Sequence, residues 1–142
     1  MKIYADTSVL IAWFHPADMF SPPVTAWCRA HGPDFSWNSL LRIEVRHNLR
    51  RLSGKYASLA WHAYQASETT RRILLGRERL DEVLELADEL SARHVSETAC
   101  GTWDYAHVAA ALQARTAVFA TCDRSQAKLA QLSGISEVKL FK

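Results

Sequence analysis

Hydrophobic and polar positions along this chain alternate in blocks that predict short strands separated by helices. Residues 2–5 (Lys-Ile-Tyr-Ala) are an apolar run read as a strand, followed by Asp6-Thr7-Ser8, which suits a helix start. A helix is expected over residues 9–14, stopping before Pro16, and a second over 24–30 between Pro22-Pro23 and Gly32-Pro33. Residues 34–38 suit a second strand. Ser39 then caps a helix through residue 52, with Leu41, Val45, Leu49 and Leu52 on one stripe. Residues 55–75 read as one further helix with less regular apolar spacing. The segment 81–93 is plainly amphipathic, and an alanine-rich helix follows over 102–113. Residues 117–121 form the next strand, 125–132 a helix ending before Gly134, and 137–141 a last strand. Strands alternating with helices predict a mainly parallel sheet covered on both faces, with any site outside the carboxyl ends of the strands.

Length and composition narrow this picture without changing it. The chain has 142 residues, 49% hydrophobic and 23% charged, which fits one globular domain spanning 1–142. No repeat, low-complexity tract or linker divides it. The start, with Lys2 as its one early basic residue, lacks the long apolar stretch and cleavage site expected of a secretory signal, and no apolar run is long enough to span a membrane. Cys28, Cys100 and Cys122 are odd in number and widely spaced, so free thiols in a reducing cytoplasm are expected. Seventeen Lys and Arg against fifteen Asp and Glu leave a net charge of +2, too weak a bias to indicate a nucleic-acid partner.

The placement of the acids is more informative than their number. Seven of the fifteen lie between Glu78 and Glu97, mostly on the polar side of the 81–93 helix, where a solvated face explains them. Asp6 and Asp123 instead each follow an apolar strand, and would emerge at the same edge of a parallel sheet. Glu44 lies in a helix among apolar neighbours, and Asp104 in the first turn of the alanine-rich helix. Taken singly, Asp6, Asp104 and Asp123 are adequate helix caps or first-turn acids, and Glu44 could pair with Arg51 or another arginine. Gathered at one sheet edge they would repel one another and require protons or cations. Oxygen ligands without clustered His or Cys favour Mg²⁺ or Mn²⁺, ions suited to phosphate chemistry.

Asp6-Thr7-Ser8-Val9-Leu10, Glu44, Asp104-Tyr105-Ala106-His107-Val108-Ala109-Ala110-Ala111 and Thr121-Cys122-Asp123 resemble, in order, the acidic motifs of PIN-domain ribonucleases. Length and motif spacing are most similar to the toxin subunits of VapBC-type toxin–antitoxin modules, over essentially the whole chain. The resemblance implies a three-layer α/β/α sandwich around a mainly parallel sheet. It implies Asp6, Glu44, Asp104 and Asp123 as catalytic and metal-binding acids, with Ser8 and Thr121 supporting them. It further implies Mg²⁺ dependence with Mn²⁺ able to substitute, and endonucleolytic cleavage of RNA (tRNA, rRNA or mRNA) by metal-activated water. Homodimerisation and inhibition by an antitoxin carrying a DNA-binding segment belong to the same expectation. The last motif continues Arg124-Ser125-Gln126, where many relatives carry a further acid or Phe, so the resemblance supports a second metal position less than the first and leaves one or two ions open.

Other chemistries find less support. His107, one turn beyond Asp104, is conceivable as a base but better read as a packed, hydrogen-bonded histidine. No Gly-rich phosphate loop or G-x-S-x-G elbow is present. Arg42, Arg46 and Arg50, spaced by four, form a stripe that is either a solvated face or an RNA-backbone rail, with Glu44 turned away from it. The five tryptophans are read mainly as core or interface, with Trp103 beside Asp104 open to either that or base stacking. Two alternative functions stand beside the nuclease. One is a catalytically inactive PIN-like module binding RNA or protein. The other is a different Mg-dependent phosphohydrolase, though the haloacid-dehalogenase type wants an Asp where Ser8 stands.

Overall fold

A computed structural model describes residues 1–142, with only the side chain of Leu74 outside the described set. The strands are β1 (Lys2–Ala5), β2 (Asp34–Trp37), β3 (Leu74–Leu75), β4 (Val118–Thr121) and β5 (Glu137–Leu140). The helices are α1 (Thr7–Phe14), α2 (Ser21–His31), α3 (Ser39–Arg51), α4 (Ala57–Thr69), α5 (Leu80–His94), α6 (Thr102–Gln113) and α7 (Arg124–Leu132). The sheet runs β3-β2-β1-β4-β5 with every pairing parallel. The α/β/α sandwich expected from the sequence is therefore the fold.

Strand burial explains the apolar runs. Ile3, Tyr4, Ala5, Val118, Phe119 and Ala120 in the two central strands are fully buried, as strands covered on both faces must be. The Tyr4 and Phe119 rings stack with centroids 5.6 Å apart. Helices α1 to α4 pack among themselves, as do α5 to α7, so the two groups form the outer layers. Small residues let α6 approach closely: Ala106, Ala109, Ala110 and Ala111 are all buried along it.

Most boundaries fall within a few residues of expectation, and the differences have local causes. Helix α2 begins at Ser21 rather than residue 24, because Pro22 and Pro23 sit in its first turn, where free N–H groups are not needed. Asn38, not Ser39, caps α3 by accepting the Leu41 N–H at 2.8 Å. The single helix expected over 55–75 is corrected: α4 ends at Thr69, and Leu74–Leu75 form an edge strand beside Ser36 and Trp37. Arg71 makes the stop with φ of 58°, while the Arg72 N–H reaches back to Ser67 O at 2.9 Å. Glycine is the usual residue at such a left-handed helix end, so the sequence carries no visible breaker there.

Order reversal places the site. From β1 the chain builds outward through β2 and β3, whereas β4 returns to the other side of β1 and leads on to β5. The carboxyl ends of β1 and β4 thus flank the switch point at which an open α/β sheet leaves a crevice.

Candidate active site

Asp6 directly follows β1 and caps α1, and Thr121 ends β4 next to it. Asp6 is only 3% exposed. Its Oδ1 accepts the Ser8 hydroxyl at 2.5 Å and the Val9 N–H at 3.1 Å, and its Oδ2 accepts the Thr121 hydroxyl at 2.5 Å. Each hydroxyl is itself held by the chain. Ser8 Oγ accepts the Cys122 N–H at 3.0 Å, and Thr121 Oγ1 accepts the Asp123 N–H at 2.9 Å. The residues after β1 and after β4 are in this way laced into one unit around a single carboxylate. Burial pushes the Asp6 carboxyl above its ordinary value, against the opposing pull of those donors.

The other three acids arrive on helices. Asp123 is exposed and caps α7, its Oδ1 accepting from Ser125 N–H at 2.7 Å and Gln126 N–H at 3.2 Å. Asp104, in the first turn of α6, accepts the Gly101 N–H at 2.9 Å through Oδ2. Burial raises its carboxyl, with the negative charges of Asp123 and Glu44 adding to the effect and Gly101 N–H opposing it. That mutual repulsion marks the acids as electrostatic neighbours.

Glu44 has no arginine partner; its Oε2 lies 3.0 Å from His107 Nε2. Burial would raise the Glu44 carboxyl, but its hydrogen bond with His107, together with the nearby Thr7 hydroxyl, holds it below the usual range. His107 is 2% exposed, and its Nδ1 lies 2.8 Å from the Tyr4 hydroxyl, which also accepts from Asn38 Nδ2 at 3.1 Å. This is the packed, hydrogen-bonded histidine expected from sequence. Tyr4 and Asn38 were not among the expected site residues. The available signal was a tyrosine in an otherwise apolar strand, one residue short of Ala5-Asp6, whose buried hydroxyl needs a partner.

The donor set consists of hard carboxylate and hydroxyl oxygens, the chemistry Mg²⁺ or Mn²⁺ requires. Thr7 Oγ1 is buried close to the Glu44 carboxylate but makes no hydrogen bond of ordinary geometry, and a bound group would satisfy it. Among the described residues no Lys or Arg pairs with Asp6, Asp104 or Asp123. No three His, Cys, Asp or Glu side chains among them stand close enough together to enclose an ion. The residues fit such a cation in kind, and the preformed part of the cradle is the Asp6 corner.

The arginine stripe faces elsewhere. Arg42 Nε lies 3.4 Å from Glu68, Arg46 stands 5.4 Å from the Trp61 ring centre and 5.9 Å from that of Tyr64, and Arg50 stands 5.5 Å from Trp61. These contacts are with α4, whereas Glu44 turns to α6, so the two sides of α3 separate as the spacing implied. Trp103 is 54% exposed beside Asp104. The three cysteines are free, and burial pushes the Cys122 thiol up to about 11, which keeps it protonated and unreactive. Among the described residues no helix is long and apolar enough to cross a membrane.

Residues 3–132 match the family model described as PIN domain. No curated protein matches the sequence. Among solved structures, VapC20 of Mycobacterium tuberculosis, a Sarcin-Ricin loop cleaving toxin, superposes with a TM-score of 0.71 at 21% identity, covering 96% of this chain and 98% of that one. FitAcB from Neisseria gonorrhoeae gives 0.61 at 19%, over 99% and 96%. VapBC2 from Rickettsia felis, solved with a DNA fragment from its promoter, gives 0.64 at 9%, over 100% of both. Likeness at such identities concerns the fold.

Proposed function

This chain belongs to the PIN-domain family, and on that premise we propose that it is a metal-dependent endoribonuclease, the toxin of a toxin–antitoxin pair. One observation carries the reading: Asp6, a carboxylate buried at the switch point between β1 and β4, has no cationic partner among the described residues, while Asp104 feels the negative charges of Asp123 and Glu44. Burying a charge without a counter-ion is costly, and a divalent cation is the economical remedy. Similarity to VapC20, a Sarcin-Ricin loop cleaving toxin, and to VapBC2, solved bound to a DNA fragment from its promoter, supports the same reading.

Asp6, Glu44, Asp104 and Asp123 would hold Mg²⁺ or Mn²⁺. Such an ion, when bound, polarises a phosphoryl oxygen and lowers the pKa of an attacking water. Ser8 and Thr121 keep both Asp6 oxygens aimed by donating to them. Asp104, whose carboxyl is raised by burial and neighbouring charge and whose Oδ1 has no partner, is the better proton acceptor. Glu44, held ionised by His107, serves as a ligand. In-line attack by water leaves 5′-phosphate and 3′-hydroxyl ends. Arg42, Arg46 and Arg50 lie on the far side of α3 and would contact RNA phosphates only as it leaves the site. The partners in this reading are an RNA substrate, a second copy of the chain, and a small antitoxin with a DNA-binding segment, all in the cytoplasm.

The test is incubation of the purified chain with tRNA and rRNA in Mn²⁺, with a chelator control. Discrete cleavage in Mn²⁺ that the chelator abolishes is expected. RNA bound but intact under every metal condition would favour the inactive binding module, and hydrolysis of a simple phosphomonoester alone would favour another phosphohydrolase.

A further inference from the structure

We propose that His107 is a positioning residue for Glu44. A buried hydrogen-bond chain from Asn38 through Tyr4 fixes which imidazole nitrogen carries the proton and so aims an N–H at the carboxylate. The argument is one of counting donors. Asn38 Oδ1 is committed to the Leu41 N–H, so its amide group faces Tyr4 and donates to the Tyr4 oxygen at 3.1 Å. The Tyr4 hydroxyl has a single hydrogen, is fully buried, and has one remaining neighbour able to accept it, His107 Nδ1 at 2.8 Å. Nδ1 is then an acceptor, and the ring proton sits on Nε2, 3.0 Å from Glu44 Oε2. The opposite tautomer would strand the Tyr4 hydrogen and turn an Nε2 lone pair on a carboxylate, two unfavourable contacts in a buried place.

The chain of bonds also joins the elements that carry the site. Asn38 caps α3, which bears Glu44; Tyr4 belongs to β1, which delivers Asp6; His107 follows Asp104 by one turn of α6. The side chain of Glu44 reaches the site from a helix, with about a third of its surface exposed, and the hydrogen bond that holds its Oε2 comes from His107. The tautomer is a property of this chain alone, whereas the consequence for a cation rests on the function proposed above.

Two measurements test the inference separately. In a long-range proton–nitrogen NMR spectrum of the metal-free protein, His107, assigned by comparison with His107→Gln, is expected to show a protonated Nε2 and a bare Nδ1. A proton on Nδ1 would overturn the proposal whatever the protein's activity. Tyr4→Phe keeps the buried ring and is expected to mix the two tautomers. In Mn²⁺ titrations followed by thermal unfolding, Tyr4→Phe and His107→Leu are expected to weaken the apparent affinity about tenfold, in the range set by loss of a ligand's outer partner. His107→Gln, which retains an amide donor, is expected to recover most of that loss. In a Glu44→Gln background, Tyr4→Phe should have no further effect on affinity. If these variants lower Tm but leave Mn²⁺ affinity unchanged, the role is structural only and the positioning inference is wrong. A wild-type chain that binds no Mn²⁺ would overturn the proposed metal centre, and the part of this inference that depends on it.

Discussion

Thr121→Val removes one hydroxyl from a fully buried position and keeps the side-chain volume and β-branching. That hydroxyl donates to Asp6 Oδ2 at 2.5 Å and accepts the Asp123 N–H at 2.9 Å. A hydrogen bond to a charged group is worth about 1.5–3 kcal/mol, and a stranded, partly buried N–H adds about 1 kcal/mol, so a loss of about 2.5–4 kcal/mol is expected at neutral to alkaline pH. The loss should depend on pH. Burial raises the Asp6 carboxyl in the folded chain, so protonating it favours folding. This contribution is fully present below the unfolded value of about 3.9 and is lost as pH rises through the higher folded value. The Thr121 donor counters that trend by favouring the ionised form. Without it the folded value rises further, and the deficit of the variant grows over the same rise in pH. Urea unfolding at about pH 4 and about pH 8 reads this difference, with Thr121→Ser as a control that keeps both bonds and loses a methyl, about 1 kcal/mol at either pH. A Thr121→Val deficit that is the same at both pH values would refute the reasoning.

Mn²⁺ at about 100 times its Kd should stabilise the wild-type chain by about 2.7 kcal/mol, several degrees in Tm, and Asp6→Asn, which retains the α1 cap, should abolish that gain without unfolding the protein. Arg115, like Arg71, ends its helix in the left-handed region, with φ of 53°. Replacing it with Gly should raise stability by about 0.5–1 kcal/mol in urea unfolding, as relief of backbone strain exceeds the entropy Gly adds to the unfolded chain. Arg46→Ala should cost about 0.5–1 kcal/mol through its lost contacts with Trp61 and Tyr64. If the stripe touches RNA, the same change should lower the salt dependence of binding by about one phosphate contact, measured by filter retention across ionic strengths.

The parts of this molecule legible in its sequence were those with a local signature. Apolar runs ending in Asp6 and Thr121-Cys122-Asp123 identified the central strands and the edge at which acids emerge. An alanine-rich stretch identified the closely packed α6. The edge strand Leu74–Leu75 was hidden because Arg71, in place of Gly, ends α4, and two residues are too few to show an alternating pattern. Of the site, the acids could be singled out because carboxylates after strands, or among apolar neighbours, call for an explanation. The frame that aims them could not. Asn38, Tyr4 and His107 are separated by 34 and 103 residues along the chain, and only the packing of α3 and α6 over β1 brings their polar atoms together. Glu44 shows the same limit: its need for a partner was evident, but arginines one or two turns away in sequence were nearer candidates than a histidine on another helix.

End chemistry on cleaved RNA tests most directly the claim that these acids hold a cation for hydrolysis by water. Wild-type protein and Asp6→Asn are incubated with the same RNA in Mn²⁺, and the new 5′ ends are assayed for phosphate by ligation. Wild-type protein is expected to yield ligatable 5′-phosphate ends, and Asp6→Asn none. Fragments with 5′-hydroxyl ends, produced equally by Asp6→Asn or in the presence of chelator, would contradict it.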